Sequence, residues 1–204
     1  VTGCVAYTRV DGEFHAFSAK SVVLATGGIT RCWSVCSGSW EYTGDGHALA
    51  LWAGAELRDM EFVQFHPTGM VWPPSVRGIL VTEGVRGEGG RLTNSKGERF
   101  MFDYVPEMFA GDHADTVEES DQWVEEVVSG KLATVRRPPE LLTRDVVAKA
   151  INSEVKAGRG SPHGGEFLDI SHRGKEAILA KLPSMHHQFK ELAGVDISEE
   201  AMEV

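Results

Sequence analysis

An apolar run at residues 21–25, SVVLA, leads directly into a Thr-Gly-Gly turn and limits the folds open to this chain. A short apolar run bounded by turn residues is typical of a strand that is buried on both faces. Residues 1–9 and 13–18 before it also read as strands, and the Asp-Gly pair at 11–12 between them is a hairpin signal. We therefore predict a hairpin, followed by a buried strand that enters a glycine-rich turn.

A buried strand that runs into such a turn is typical of the middle of a nucleotide-binding domain. A complete dinucleotide-binding fold opens with a strand, a Gly-x-Gly-x-x-Gly turn and a helix, and no such turn occurs in this sequence. We expect that the first mononucleotide-binding half is absent and that the chain is an internal piece of a longer one.

The pattern changes near residues 55–60, from a short helix at 46–54 to a mixture of short strands and helices. We predict an α+β chain with two regions, residues 1–56 and 57–204. An acidic stretch at about 110–139 reads as an insertion with one short helix around 121–129. The other elements predicted in the second region are short strands at 91–93, 100–102 and 167–172, a helix that starts at Arg144, and helices over 175–181 and 186–193.

Composition excludes several classes of function. A net charge of −10 argues against a nucleic-acid partner, which requires clustered Lys and Arg. No apolar run approaches the roughly 20 residues needed to cross a bilayer. The three cysteines are too few and too scattered for a disulfide framework or a four-ligand metal site. We expect a cytoplasmic protein without a metal.

Two blocks carry most of the candidate chemistry. Residues 65–69 read FHPTG and residues 80–90 read LVTEGVRGEGG, so His66, Thr82 and Glu83 lie beside flexible glycines. Hydrogen-bond donors grouped in this way are suited to hold a small anionic molecule. Arg144 lies in the first turn of a predicted helix, after Thr143 as a possible cap.

Together these motifs resemble the flavoprotein subunits of succinate dehydrogenase and fumarate reductase, in a superfamily that also includes L-aspartate oxidase. Nearly the whole chain takes part in the resemblance, except the insertion at about 110–139, which looks like that of certain bacterial succinate dehydrogenases. The blocks that carry it, in chain order, are residues 25–28 (ATGG), 43–46 (TGDG), 65–69 (FHPTG), 80–90 (LVTEGVRGEGG), 97–101 (GERFM) and 144–147 (RDVV).

The resemblance implies a partial Rossmann-like FAD-binding domain at 1–56 and a capping domain at 57–204, which closes over the substrate and the flavin. Asp45 would contact FAD, and the turn at 25–28 would let the backbone approach it. The histidine that binds FAD covalently in this family lies in a region absent here, as do a later substrate-binding histidine and arginine. The cofactor residues implied are Ala25, Thr26, Gly27, Gly28 and Asp45.

For the reaction, the resemblance implies interconversion of succinate and fumarate, with hydride transfer to FAD N5 and proton transfer through Arg144. His66 and Thr82 would bind a substrate carboxylate, and Glu83 would join the polar network around them. Glu83 and Arg86 are candidate partners of Arg144 in a proton relay.

The resemblance also implies two kinds of partner, membrane anchor subunits and an iron-sulfur subunit. These would hold the chain peripherally on the cytoplasmic face of the bacterial inner membrane. Two alternatives remain open: an L-aspartate oxidase, and a capping module that is not catalytic in isolation. The chain alone is expected to be inactive, and the direction of the succinate reaction stays undecided.

Overall fold

The computed structural model describes all 204 residues, which form two compact units, Val1–Val63 and Gln64–Val204. Both units mix helices with short strands, as predicted for an α+β chain. The first unit extends a few residues beyond the boundary that the sequence pattern suggested at 56. No helix in the structure is both long enough and apolar enough to cross a membrane.

The first unit contains the predicted hairpin and the predicted short helix. Strand β1 (Gly3–Tyr7) pairs antiparallel with β2 (Phe14–Ser18), with Val5 opposite Ala16. Helix α1 spans Asp45–Trp52. Its N-cap is Gly44, whose φ of 84° is a left-handed conformation that side chains other than glycine rarely adopt.

The buried strand predicted at residues 21–25 is wrong. These residues form no regular secondary structure, and Val23 is 87% exposed. A strand in a parallel sheet needs a neighbour for its backbone hydrogen bonds. The only two strands of the first unit, β1 and β2, pair with each other, so the apolar run has no partner strand there.

The second unit is built around a small antiparallel sheet. Strand β4 (Phe167–Asp169) lies between β3 (Arg91–Thr93) and β5 (Met202–Glu203). Leu92, Leu168 and Met202 are fully buried on this sheet and belong to one continuous apolar core. The helices of the unit are α2 (Glu83–Gly87), α3 (Val117–Val128), α4 (Arg144–Lys156), α5 (Lys175–Lys181) and α6 (Pro183–Ala193).

Two predicted elements of the second unit differ from the structure. Helix α3 begins four residues earlier than predicted, because the Thr116 side chain caps it by accepting a hydrogen bond from the Glu119 amide. Residues predicted as a strand at 100–102 belong instead to a 3-10 helix, Phe100–Tyr104. Phe100 and Met101 are both buried, and successive residues of a strand point to opposite faces.

Candidate active site

A short antiparallel contact brings the two site blocks of the second unit together. The Val81 amide donates to the Thr68 carbonyl at 2.9 Å, and the Met70 amide donates to the Ile79 carbonyl at 2.9 Å. The buried Thr68 hydroxyl adds a third link by donating to the Val81 carbonyl at 2.8 Å. This pairing places His66, just before the contact, on the same side as Thr82, which is the N-cap of α2.

His66 is held as a neutral hydrogen-bond donor. Its Nδ1 accepts from the Thr68 amide at 3.3 Å, which assigns the ring proton to Nε2. Burial lowers the pKa of His66, and the positive charges of Arg144 and Arg86 lower it further against the opposing effect of Glu83. The Nε2–H group can therefore donate to a carboxylate without the ring carrying a charge.

Glu83 lies between two arginines and uses one oxygen for both. Its Oε2 is 3.6 Å from Arg144 Nε and 3.8 Å from Arg86 Nη2. The Arg86 side chain is 1% exposed, whereas those of Arg144 and Glu83 are 43% and 55% exposed. Two cations beside one carboxylate leave a formal positive charge, which favours an anionic ligand.

Arg144 is the first residue of α4, as the sequence predicts, and Thr143 occupies the N-cap position. The Thr143 side chain makes no capping hydrogen bond to the backbone. Arg144 Nη1 donates to Gln64 Oε1 at 3.0 Å. The sequence analysis missed Gln64, and its position two residues before His66 is the only signal that could have indicated it.

Arg86 is buried but incompletely paired. Its Nη1 donates to the main-chain carbonyl of Glu140, while Nε and Nη2 have no hydrogen-bond partner in the chain. Burial lowers the pKa of Arg86, and Arg144 adds to that effect, while Glu83 and Glu140 oppose it. An arginine in this state gives up a proton more readily than one in water.

The predicted cofactor residues lie in the first unit. Ala25, Thr26 and Gly27 line a pocket there, together with His47, whose Nδ1 is buried and unpartnered. Gly28 and Asp45 do not line it; the Asp45 carboxylate accepts from the Thr43 hydroxyl at 3.0 Å. The sequence analysis did not single out His47, although it directly follows the 43–46 block.

Glycines allow the two turns of the first unit to pack against each other. A Cβ on Gly46 would lie 1.8 Å from Thr26 Oγ1, and a Cβ on Gly27 would lie 2.6 Å from the Tyr42 ring. Close backbone packing and an orphaned polar atom at a pocket fit a cofactor with many polar atoms, such as FAD. No group of three or more His, Cys, Asp or Glu side chains has the geometry of a metal site.

Comparison with known proteins places these sites in a family. The pattern of the FAD binding domain family matches residues 1–203. The fumarate reductase (CoM/CoB) of Methanothermobacter marburgensis contains a polypeptide that is 46% identical over 100% of this chain. The succinate dehydrogenase flavoprotein subunit of Rickettsia bellii is 38% identical over 99% of it. The chain spans 31% and 28% of the lengths of these two relatives.

Solved structures agree with this result. Mycobacterium smegmatis Sdh1 in complex with UQ1 is 56% identical over 99% of this chain and 28% of its own, with a TM-score of 0.67. A mutated FrdA of the E. coli quinol fumarate reductase is 35% identical over 100% of this chain and 31% of its own, with a TM-score of 0.79. The resemblance noted in the sequence is confirmed: the chain belongs to the FAD binding domain family, in a region shared by the flavoprotein subunits of succinate dehydrogenases and fumarate reductases.

Proposed function

We propose that this chain contributes one wall of the active site of a flavin-dependent enzyme that interconverts succinate and fumarate. The observation that carries the proposal is the Glu83 carboxylate, which lies 3.6 Å from Arg144 and 3.8 Å from the buried Arg86. A neutral histidine in the adjoining block can donate a hydrogen bond to one substrate carboxylate. The formal positive charge of the site balances part of the dianion.

The proton at the substrate carbon is assigned to Arg144. In fumarate reduction, an Arg144 N–H gives its proton to the substrate carbon, Glu83 returns a proton to Arg144, and Arg86 returns one to Glu83. Succinate oxidation runs the same transfers backward. Arg144 is prepared for this task because Gln64 fixes the orientation of its guanidinium with a 3.0 Å hydrogen bond.

His66 and Thr82 are assigned to orientation of the substrate. The Nε2–H of His66 donates to a carboxylate, and the exposed Thr82 hydroxyl, which makes no capping hydrogen bond, is free to do the same. Fixing both carboxylate groups aligns the reacting carbon with Arg144, which is a large source of rate acceleration in a site of this kind.

The cofactor that we propose is FAD, which takes up or supplies the hydride of this reaction when it is bound. Ala25, Thr26 and Gly27 would approach it through their backbone, and His47 would supply a polar contact from the same pocket. Gly28 and Asp45 are proposed as further contacts. The partners proposed to pass electrons to quinone and to hold the protein at the membrane are membrane anchor subunits and an iron-sulfur subunit.

The test is a substrate panel on the full-length protein with its flavin. We expect succinate oxidation with an artificial electron acceptor and fumarate reduction with a reduced dye. Peroxide formation that depends on aspartate would indicate an L-aspartate oxidase instead. For the 204-residue chain alone we propose no turnover and no bound flavin, and an absorbance spectrum of the purified chain checks this directly.

A further inference from the structure

The buried Arg86 depends on one residue for its hydrogen bonding within the chain. Its Nη1 donates to the main-chain carbonyl of Glu140, and its other two nitrogens have no partner. Glu140 lies in a 3-10 helix, Pro139–Leu141, that leads directly into α4 and its first residue, Arg144. One short segment therefore contacts one arginine of the site and carries the other.

The Glu140 side chain anchors this segment. It is fully buried, and its Oε1 accepts from Arg99 Nε at 3.0 Å and also lies 3.0 Å from Arg99 Nη2. Arg99 Nη1 in turn donates to Asp121 Oδ1 at 3.0 Å, and the other Asp121 oxygen accepts from Arg91 at 2.7 Å. A chain of charged contacts thus runs from helix α3, in the predicted insertion, to Arg86.

Stability alone does not account for this buried pair. Replacing a buried ion pair with well-packed apolar residues is often neutral or stabilising, because desolvation offsets the attraction. Burial raises the pKa of the Glu140 carboxyl, while Arg99 opposes that shift. What the pair provides that apolar side chains do not is a fixed position, because two hydrogen bonds to a planar guanidinium define distance and angle.

We propose that Glu140 is a positioning residue for the proton relay: its main-chain carbonyl holds Arg86, and its carboxylate, bound to Arg99, fixes the segment that leads into Arg144. Glu140 carries no proton between the relay groups and touches no substrate. Its role is to keep Arg86 and Arg144 on either side of Glu83. The inference rests on the proposed function.

The test is Glu140→Gln in the full-length protein with its flavin. We expect kcat to fall about 10-fold to 100-fold, because small displacements of catalytic groups have effects of this size. KM, flavin content and the dissociation constant of a non-reacting dicarboxylate such as malonate should stay within about twofold, because Glu140 does not contact substrate.

Glu154→Gln is the matched control. Glu154 is also a buried carboxylate paired with an arginine, at 2.6 Å from Arg159, but it has no contact with Arg86 or Arg144. It should lower the melting temperature and leave kcat unchanged. A second variant, Asp121→Asn, weakens the same chain of contacts from a half-exposed position, and should lower kcat about twofold to fivefold with little change in melting temperature.

The outcomes separate the two claims. If Glu140→Gln loses activity only in proportion to lost folded protein or lost flavin, the positioning role is overturned. If Glu140→Gln does not fold, an Asp121→Asn variant with unchanged kcat overturns it equally. Full activity of Arg144→Gln would instead refute the proposed function, whatever Glu140→Gln does.

Discussion

Glu154 and Glu83 each lie beside arginines in the second unit, but their contacts differ in kind. Glu154 accepts hydrogen bonds from Arg159 at 2.6 and 2.7 Å, from Tyr104 at 2.6 Å and from Asn94 at 3.0 Å. Glu83 approaches its two arginines only to 3.6 and 3.8 Å, beyond hydrogen-bonding distance. One carboxylate has its full set of partners, and the other has room for more.

The difference separates stability from chemistry. Hydrogen bonds from Arg159, then from Tyr104 and Asn94, lower the pKa of Glu154 to about 2 despite its burial, so the carboxylate is ionised under all ordinary conditions. A group held so firmly cannot exchange protons near neutral pH. Loosely held groups, with unpartnered nitrogens on Arg86 close by, can be rearranged by a substrate.

The largest expected effect is at the loose cluster. Arg144→Gln in the full-length protein removes the group assigned to give the proton, and we expect kcat to fall at least about 1,000-fold with flavin still bound. Arg144→Lys should fall nearly as far, because a lysine cannot reproduce the guanidinium geometry. Steady-state kinetics with flavin absorbance as the loading control measures both, and activity within a few fold of wild type would break the comparison.

At the tightly bonded cluster, Glu154→Gln should act on stability alone. Removing one partner of a buried pair leaves Arg159 uncompensated, at a cost of about 3–5 kcal/mol in the free energy of unfolding. Because the folded pKa of Glu154 is depressed, its contribution is present above the unfolded value near 4.5 and is lost as pH falls through about 2. Denaturant unfolding at pH 7 and at pH 3 checks this, and an equal loss at both values would contradict it.

Glu166 extends the comparison to a buried carboxyl with no partner. Neither of its oxygens has a hydrogen bond, and burial, helped by the charge of Glu154, raises its pKa to about 7. Ionisation of this group therefore opposes folding, with a penalty that is absent below pH 4.5, grows up to about pH 7 and is constant above. Glu166→Gln should stabilise the protein by about 2 kcal/mol at pH 8 and by nothing at pH 4. A thermal melt that shows no gain at pH 8 would rule this out.

The smallest effect is expected at His66. His66→Ala removes one hydrogen bond to a substrate carboxylate, and we expect KM to rise about 10-fold to 100-fold while the melting temperature barely changes. Because the pKa of His66 is lowered by burial and by Arg144 and Arg86, substrate binding should not follow a histidine titration between pH 6 and 8. A KM that changes tenfold over that range in the wild-type protein would show that the charged ring matters.

Local patterns in the sequence were sufficient for several of these features. The Asp-Gly signal correctly predicted the β1–β2 hairpin, and the cap and periodicity correctly placed Arg144 at the start of α4. The blocks at 65–69 and 80–90 were expected in one site because of their residue types, and the antiparallel contact at Gly69 and Leu80 brings them together.

Contacts between distant residues could not be predicted in this way. Gln64 and Arg144 are 80 residues apart, and Arg86 and Glu140 are 54 apart. No periodicity or turn chemistry links such pairs, because they meet only when the core has packed. The strand expected at 21–25 was wrong for a related reason, since a strand depends on a neighbour that its own residues do not specify.

Glu83→Gln, set beside Glu154→Gln in the full-length protein with its flavin, tests the central claim most directly. The quantity to measure is kcat for succinate oxidation, normalised to bound flavin. The loose cluster should be the chemical one, so kcat should fall at least about 100-fold for Glu83→Gln and stay within about twofold of wild type for Glu154→Gln. Equal kcat values for the two variants would contradict the account.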